Sequence, residues 1–423
     1  ENYKNSKIDW IGKIPKDWNI VKTRYLCDIT TGNRDTQDKN QNGDYPFFVR
    51  SQNIERINSY SYDGEAVLTS GDGAGVGKIF HGHAPKGVFQ VSGGRIRGFG
   101  PKPKESFKWS QNGTSTDWGI FPNQDSLMYD FNYANWAKNE LEKNHNSPFF
   151  MAVGFIRPHV PWYAPKKWFD LYPIENISLP KYDPNDYDDL PQIAKDIAHR
   201  GMMPTTDWAI KNGEWKYIIQ AYLACVSFVD HQLGIVLSAL KKSRYKENTI
   251  VVLWSDHGYE IGEKGTFGKH TLWSESTKVP LIIKLPWMKG GKKIKNPVEL
   301  LDLYPTLLEV TSLPKNPLNE GKSLMSLING KTEGFGIAIT TYGINNHSIV
   351  NKTHRYIRYE DGSEELYDLI NDPDERNNIA NQDGSNIIKR NFIKYIPSLN
   401  EPWSSNSYNT VNEYFRRTSN TVN

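Results

Sequence analysis

Residues 249–269, TIVVLWSDHGYEIGEKGTFGK, constrain the fold more than any other stretch of the chain. TIVVLW is a continuous apolar, β-branched run, the pattern of a strand buried on both faces of a sheet. A parallel strand of that kind delivers the residues after it to a crevice at its carboxyl end. Those residues are Ser255, Asp256, His257 and Gly258. Asp256 offers a hard anionic oxygen and His257 an imidazole nitrogen, so the two neighbours can share one metal ion. Gly258, Gly262, Gly265 and Gly268 then let a tight loop return, bringing Lys269 towards the same point. A metal beside a lysine suits a substrate with an anionic tetrahedral group, sulfate or phosphate. For Asp-His-Gly alone, a buried strand and an ordinary glycine turn explain as much; the full spacing favours a site.

SDHGYEIGEKGTFGK, followed by LWSESTKVPLIIKLP, resembles the sulfatase family of the alkaline phosphatase-like superfamily, and most closely its iduronate-2-sulfatase-like branch. The resemblance implies Asp256 and His257 as metal-side residues and Lys269 as a contact to sulfate. GKIFHG near residue 80 is similar to the segment that lines the family's sulfate pocket, which implies roles for Lys78 and His81. SPFFMAVGF (147–155) is a second apolar strand delivering IRPHVPWYAP. FIRPHVPW matches the same branch and implies a sulfate contact for His159, which is flanked by Pro158 and Pro161. Arg157 is a possible second cation or a surface group. VELLDLYPTLL and ELYDLINDPDERNN match further downstream.

The 423 residues, with 37% hydrophobic and 13% aromatic content, describe a globular chain rather than a disordered one. A net charge of +3 does not call for a nucleic-acid partner. Two cysteines, Cys27 and Cys225, make no disulfide framework and read as single thiols. No apolar run approaches the roughly 20 residues that span a bilayer, so no membrane partner is expected. The chain starts at Glu1 without a charged-then-apolar leader. Sulfatases are usually periplasmic or secreted; the sequence as written leads to a cytoplasmic expectation.

Residues 5–76 read differently. IDWIGKIPKDW, YPFFV with QNIE, and GEAVLTSGDGAGVGK together resemble the start of a target-recognition domain from a type I restriction-modification specificity subunit. Short strands alternating with Gly, Asn and Asp turns suit a small β-rich recognition domain. The electrostatics suit it less. Residues 1–76 carry 10 Lys and Arg against 11 Asp and Glu, a formal charge of −1, whereas a DNA reader normally presents a basic face. The segment is expected to contribute no parallel strand to the sheet downstream, leaving part of that core unpaired.

The rest follows in order. SLMYDFNYANWAKNELEK (126–143) has helical spacing. KYDPNDYDDLP (181–191) is an aspartate-rich connector without the glycine of a calcium loop. WKYIIQAYLACVSFVDHQLGIVLSALKKS (215–243) is the longest helix, with an apolar stripe through Ile218, Tyr222, Val226, Val229, Leu233 and Leu240, and feeds the 249–254 strand. GIAITTYG, HSIVNK and THRYIRYEDGSEELYDL predict a small antiparallel sheet with an Asp-Gly turn at 361–362. The expected fold is α/β: a sulfatase-type mixed sheet flanked by helices, a small C-terminal antiparallel sheet, and a partial β-rich segment in front. The expected domains are 1–76, 77–395, and a polar tail at 396–423.

The family's nucleophile is a formylglycine made from Cys or Ser in a C/S-x-P-S-R motif, and a calcium ion held partly by an early Asp-Asp pair polarises the sulfate. The motif does not occur in these 423 residues, and the pair has no counterpart before residue 77. The resemblance therefore implies a sulfatase scaffold for a sulfated sugar, with an incomplete calcium site and no turnover as written. DNA binding through residues 5–76, or a chimera with neither activity, are the alternatives.

Overall fold

The structure, a computed structural model, describes residues 3–5, 13–15, 45–47, 55–57, 72–80, 87–109, 116–198 and 203–398. The chain divides into two units, Glu1–Gly98 with Tyr129–Ile156, and Phe99–Met128 with Arg157–Asn423.

In the first unit, Asp72–Gly77 is the middle of a three-stranded parallel sheet, between Val91–Gly94 and Phe149–Gly154. This corrects the expectation that nothing before residue 77 supplies a parallel strand. With three glycines in six residues, DGAGVG reads locally as a turn. A parallel neighbour on each side satisfies its backbone groups, and those long-range partners decide the outcome. The strand also runs across the expected 76/77 domain boundary. Helix Tyr129–Glu142 buries Tyr133, Ala134, Ala137 and Leu141. It lies close to the sheet at Gly93, where a Cβ would come within 2.6 Å of Val76 and 2.7 Å of Trp136. Two short antiparallel pairs, Tyr3–Asn5 with Lys13–Pro15 and Tyr45–Phe47 with Glu55–Ile57, complete what is described here.

In the second unit, the long helix Trp215–Lys242 buries Ile218, Ala221, Ala224, Cys225 and Phe228. It is long and apolar enough to cross a bilayer on length and composition alone. Its buried face nonetheless packs within the protein: Phe228 meets Trp168, and the Cys225 thiol lies 3.6 Å from the Tyr163 carbonyl. Beside it, Trp118–Ile120 pairs in parallel with Trp162–Ala164. Val251–Trp254 pairs antiparallel with Leu281–Lys284.

Two apolar strands differ from expectation in their burial. Every position of Phe149–Gly154 is half-buried, and Trp254 is 50% exposed. Burial on both faces needs a layer on each side. Among the described residues, Val251–Trp254 has a single strand neighbour.

The C-terminal sheet follows the sequence order Ala338–Thr341, His347–Val350, His354–Arg358 and Glu364–Asp368, all antiparallel. Gly362, at φ +88, makes the expected Asp-Gly turn. Alternation puts Ile349, Tyr356 and Leu366 against Phe392 of helix Ser385–Ile393. Ile357 and Tyr367 face the other way, onto Ile193, Ala194, Ile197, Leu272 and Trp273. Tail residues 399–423 lie outside the described residues.

Buried polar groups pin this sheet to the segment that follows Lys269. Glu365 accepts from Trp273 Nε1 (2.8 Å), Tyr359 Oη (2.6 Å) and Tyr367 Oη (2.5 Å). Glu375 accepts from Arg355 Nε (2.5 Å), Ser274 N (2.7 Å) and Ser274 Oγ (2.7 Å). Lys264 donates to Asp186 (3.0 Å) and to the Glu375 carbonyl. The 181–191 connector is thus not simply solvated, since Asp186 and Lys264 form an ion pair with both side chains under 5% exposed.

Candidate active site

The Val251–Trp254 strand ends where the sequence places Ser255 to Gly258. His257 Nδ1 lies 2.7 Å from the Gly258 carbonyl and donates to it. Nε2 is then the ring's acceptor, and Lys269 Nζ donates to it at 2.7 Å. Asp256 Oδ1 is 3.7 Å from the same Nε2. The loop closes because Glu260–Ile261 pairs with Phe267–Gly268, Glu260 opposite Gly268, which returns Lys269 to the strand end. Gly258 is required for that closure. Its N–H donates to the Ser276 carbonyl at 2.8 Å, and a Cβ there would run into the Glu275 carbonyl.

His159 is held by a different device. Its ring stacks on Phe99, with centroids 4.1 Å apart and planes 4° from parallel, and Nδ1 donates to the Val160 carbonyl at 2.6 Å. Arg157 underlies this arrangement. Its side chain donates to the carbonyls of Phe99 (2.7 Å), His159 (3.1 Å) and Tyr163 (3.0 Å), and the residue is 4% exposed. It is a buried clamp on the loop, not a surface group.

Aromatic rings join the two loops. Trp162 meets Tyr259 edge-on at 5.6 Å, and Tyr222 of the long helix lies 6.0 Å from Trp162 and 6.3 Å from Tyr259. Lys78 belongs to the first unit, where its backbone N–H donates to the Gly154 carbonyl at 2.7 Å. His81 lies outside the described residues.

A family model described as "Sulfatase" matches residues 25–313, and one described as "N-sulphoglucosamine sulphohydrolase, C-terminal" matches residues 262–401. The chain belongs to the sulfatase family. It is 51% identical over 354 residues to a sulfatase of Formosa agariphila, covering 81% of this chain and 70% of that one. It is 35% identical over 212 residues to mouse iduronate 2-sulfatase, covering 42% and 38%. Among solved structures, a protein in complex with its substrate D-glucosamine-2-N,6-O-disulfate matches with a TM-score of 0.56 at 19% identity, covering 77% of this chain and 78% of that one. A 2-O glycosaminoglycan sulfatase matches with a TM-score of 0.52 at 23% identity, covering 69% and 65%. These likenesses show the α/β sulfatase fold with its C-terminal antiparallel sheet. The sulfatase match starts at residue 25, within the segment that resembles a restriction-modification specificity subunit, and none of these similarities supports such a domain.

The sulfatase family typically uses a metal ion and a formylglycine. A hard divalent ion such as calcium wants six or more oxygen ligands. At the strand end the side-chain oxygens come from Asp256, whose side chain is 70% exposed, and the acceptor lone pair of His257 is taken by Lys269. No group of three His, Cys, Asp or Glu side chains able to hold an ion occurs among the described residues. The described residues do not fit a calcium ion.

Behind the loop sits a carboxyl that the sequence reading missed. Glu260 is fully buried, with Oε1 accepting from Thr271 (3.1 Å) and Ser276 (3.3 Å). Burial, with Glu263 nearby, pushes its pKa up to about 8. Phe99 is likewise invisible in sequence, since nothing local relates it to a histidine 60 residues later. Tyr259 has a signal, its position directly after Asp-His-Gly.

Proposed function

We propose that this chain is a sulfatase scaffold that binds the sulfate group of a sulfated sugar, of the iduronate-2-sulfatase-like type, without turning it over. The observation that carries the reading is the Lys269–His257 pair, 2.7 Å apart at the end of the Val251–Trp254 strand. A lysine ammonium and imidazoles in a partly enclosed loop are suited to neutralising a sulfate and to proton transfer at a leaving oxygen. In this reading Lys269 and His159 are sulfate contacts, with Asp256 beside Lys269 and His257, and Lys78 and His81 stand as the further contacts that the family resemblance implies. The sugar class is supported by the relatives: the similar structure holds D-glucosamine-2-N,6-O-disulfate, and the mouse relative is an iduronate 2-sulfatase.

What the 423 residues lack is an activated oxygen nucleophile, and charge stabilisation without one leaves a small part of the rate. The test is hydrolysis of a sulfated uronic-acid disaccharide by protein coexpressed with a formylglycine-generating enzyme. No sulfate release is expected. Release that is lost in Lys269→Ala would reveal a nucleophile and overturn the reading.

A further inference from the structure

We propose that the basic surface at one end of the Val251–Trp254 and Leu281–Lys284 strand pair is a docking site for a sulfated polysaccharide chain, separate from the sulfate pocket at the other end. The choice of a sulfated glycan rests on the proposed function, while the surface stands on its own residues.

Two segments remote in sequence carry it. Residues 241–248, KKSRYKEN, hold four basic side chains and one acidic one, and residues 276–298 hold six lysines and no Asp or Glu. Without these two segments the chain would have 41 Lys and Arg against 47 Asp and Glu, so its positive balance is concentrated in them. The fold brings them together. Val251 pairs with Lys284 and Trp254 with Leu281, in an antiparallel register. Trp254 leads into Ser255 and the pocket, whereas at the Val251–Lys284 end the chain enters from 241–248 and leaves into 285–295. At about 3.3 Å per residue, the two ends are about 10 Å apart.

Ordinary structural roles account for little of this charge. Lys241 and Lys242 close the last turn of helix Trp215–Lys242, where cations meet the helix dipole. Lys246 lies 3.3 Å from Glu247. Lys292 donates to the Ile328 carbonyl at 2.6 Å, which ties the 287–295 loop to helix Met325–Ile328. Lys284, Lys289, Lys293 and Lys295 are exposed, and no ion pair among the described residues engages them. Gly290 and Gly291 leave the loop open, with nothing within 4 Å of a Cβ at either. Trp287 and Ile294 stand among these lysines at 58% and 39% exposure.

Composition selects the partner. Protein interfaces are depleted in lysine, and nucleic-acid sites draw on the guanidinium fork of Arg. Here nine of the ten cations are Lys, compact point charges that match singly charged sulfate groups. The exposed indole adds a flat apolar face for a sugar ring.

The test is fluorescence anisotropy of the whole chain with fluorescein-labelled heparin, a sulfated uronic-acid polysaccharide, between about 50 and 200 mM salt. The triple variant Lys289→Ser, Lys293→Ser, Lys295→Ser is expected to bind about ten-fold more weakly or worse, with a log–log salt slope shallower by about 2. The double variant Arg244→Ser, Lys246→Ser, from the other segment, should also weaken binding, by about three-fold or more. Both should keep the parent's melting point, and its affinity for 4-nitrophenyl sulfate within about two-fold. Heparin binding that is absent, or unchanged in both variants, overturns this inference; if Lys269→Met still weakens 4-nitrophenyl sulfate binding, the proposed function stands. Heparin binding that follows the surface cations, without any binding of 4-nitrophenyl sulfate, overturns the proposed function and leaves the surface. Displacement of the label by duplex DNA or phosphatidylserine vesicles at a lower charge concentration than by unlabelled heparin overturns the choice of partner.

Discussion

Replacing Glu375 with Gln keeps the shape of the side chain and removes one charge from a pair that is almost wholly buried. The Arg355 and Glu375 side chains are 4% and 2% exposed, and their contact is 2.5 Å. Breaking such a pair from one side typically costs about 3–5 kcal/mol, because the remaining charge stays buried without its counter-ion. Arg355 retains the Ser348 hydroxyl at 2.6 Å, the Ser274 hydroxyl at 3.0 Å and the Leu272 carbonyl at 3.3 Å, which places the expected loss at the lower end, about 3 kcal/mol. The assay is urea unfolding followed by tryptophan fluorescence, since Trp273 is buried beside Ser274 and donates to Glu365. Arg355→Met combined with Glu375→Leu removes both charges and should recover at least half of the loss. A single variant within about 1 kcal/mol of the parent, or a double variant no better than the single, would refute the view that this pair pins the C-terminal sheet behind the Lys269 loop.

Three other outcomes are expected. Glu260 has a folded pKa of about 8 against an ordinary value of 4.5, so the folded chain binds more protons than the unfolded one between those pH values. Its contribution is fully present below about pH 4.5 and is lost as pH rises through about 8; Glu260→Gln should flatten that fall in a series of melting curves. Gly258→Ala drives a methyl against the Glu275 carbonyl and should lower stability by about 1–3 kcal/mol in denaturant titrations, with loss of sulfate affinity. Arg157→Lys cannot reach the carbonyls of Phe99, His159 and Tyr163 together, and should lose about 2 kcal/mol or more while changing the His159 ring signals in an NMR spectrum.

Local pattern made several elements legible. The apolar runs at 149–154, 251–254 and 281–284 are strands, the 215–242 stripe is a helix, and the Asp-Gly turn joins two C-terminal strands. The stripe placed Val226 inside, but it is 36% exposed; periodicity fixes a face, not the layer that covers it. Asp72–Gly77 was hidden because its glycines carry no strand signal and its partners lie up to 77 residues away. The Lys264–Asp186 pair and the Glu365 hub link positions 78 and 92 residues apart, and no spacing rule reaches that far. At the site, the approach of Lys269 to His257 was legible from four glycines. Arg157 was not, because a buried guanidinium facing three carbonyls has the same sequence as one facing water.

The central claim, a sulfate pocket without a nucleophile, is tested most directly by mixing the chain in molar excess with 4-nitrophenyl sulfate and following binding and nitrophenolate release together. Saturable binding that weakens ten-fold or more in Lys269→Met, with release no faster than in buffer, is the predicted result. A burst of nitrophenolate in the parent chain, or no binding at all, would contradict it.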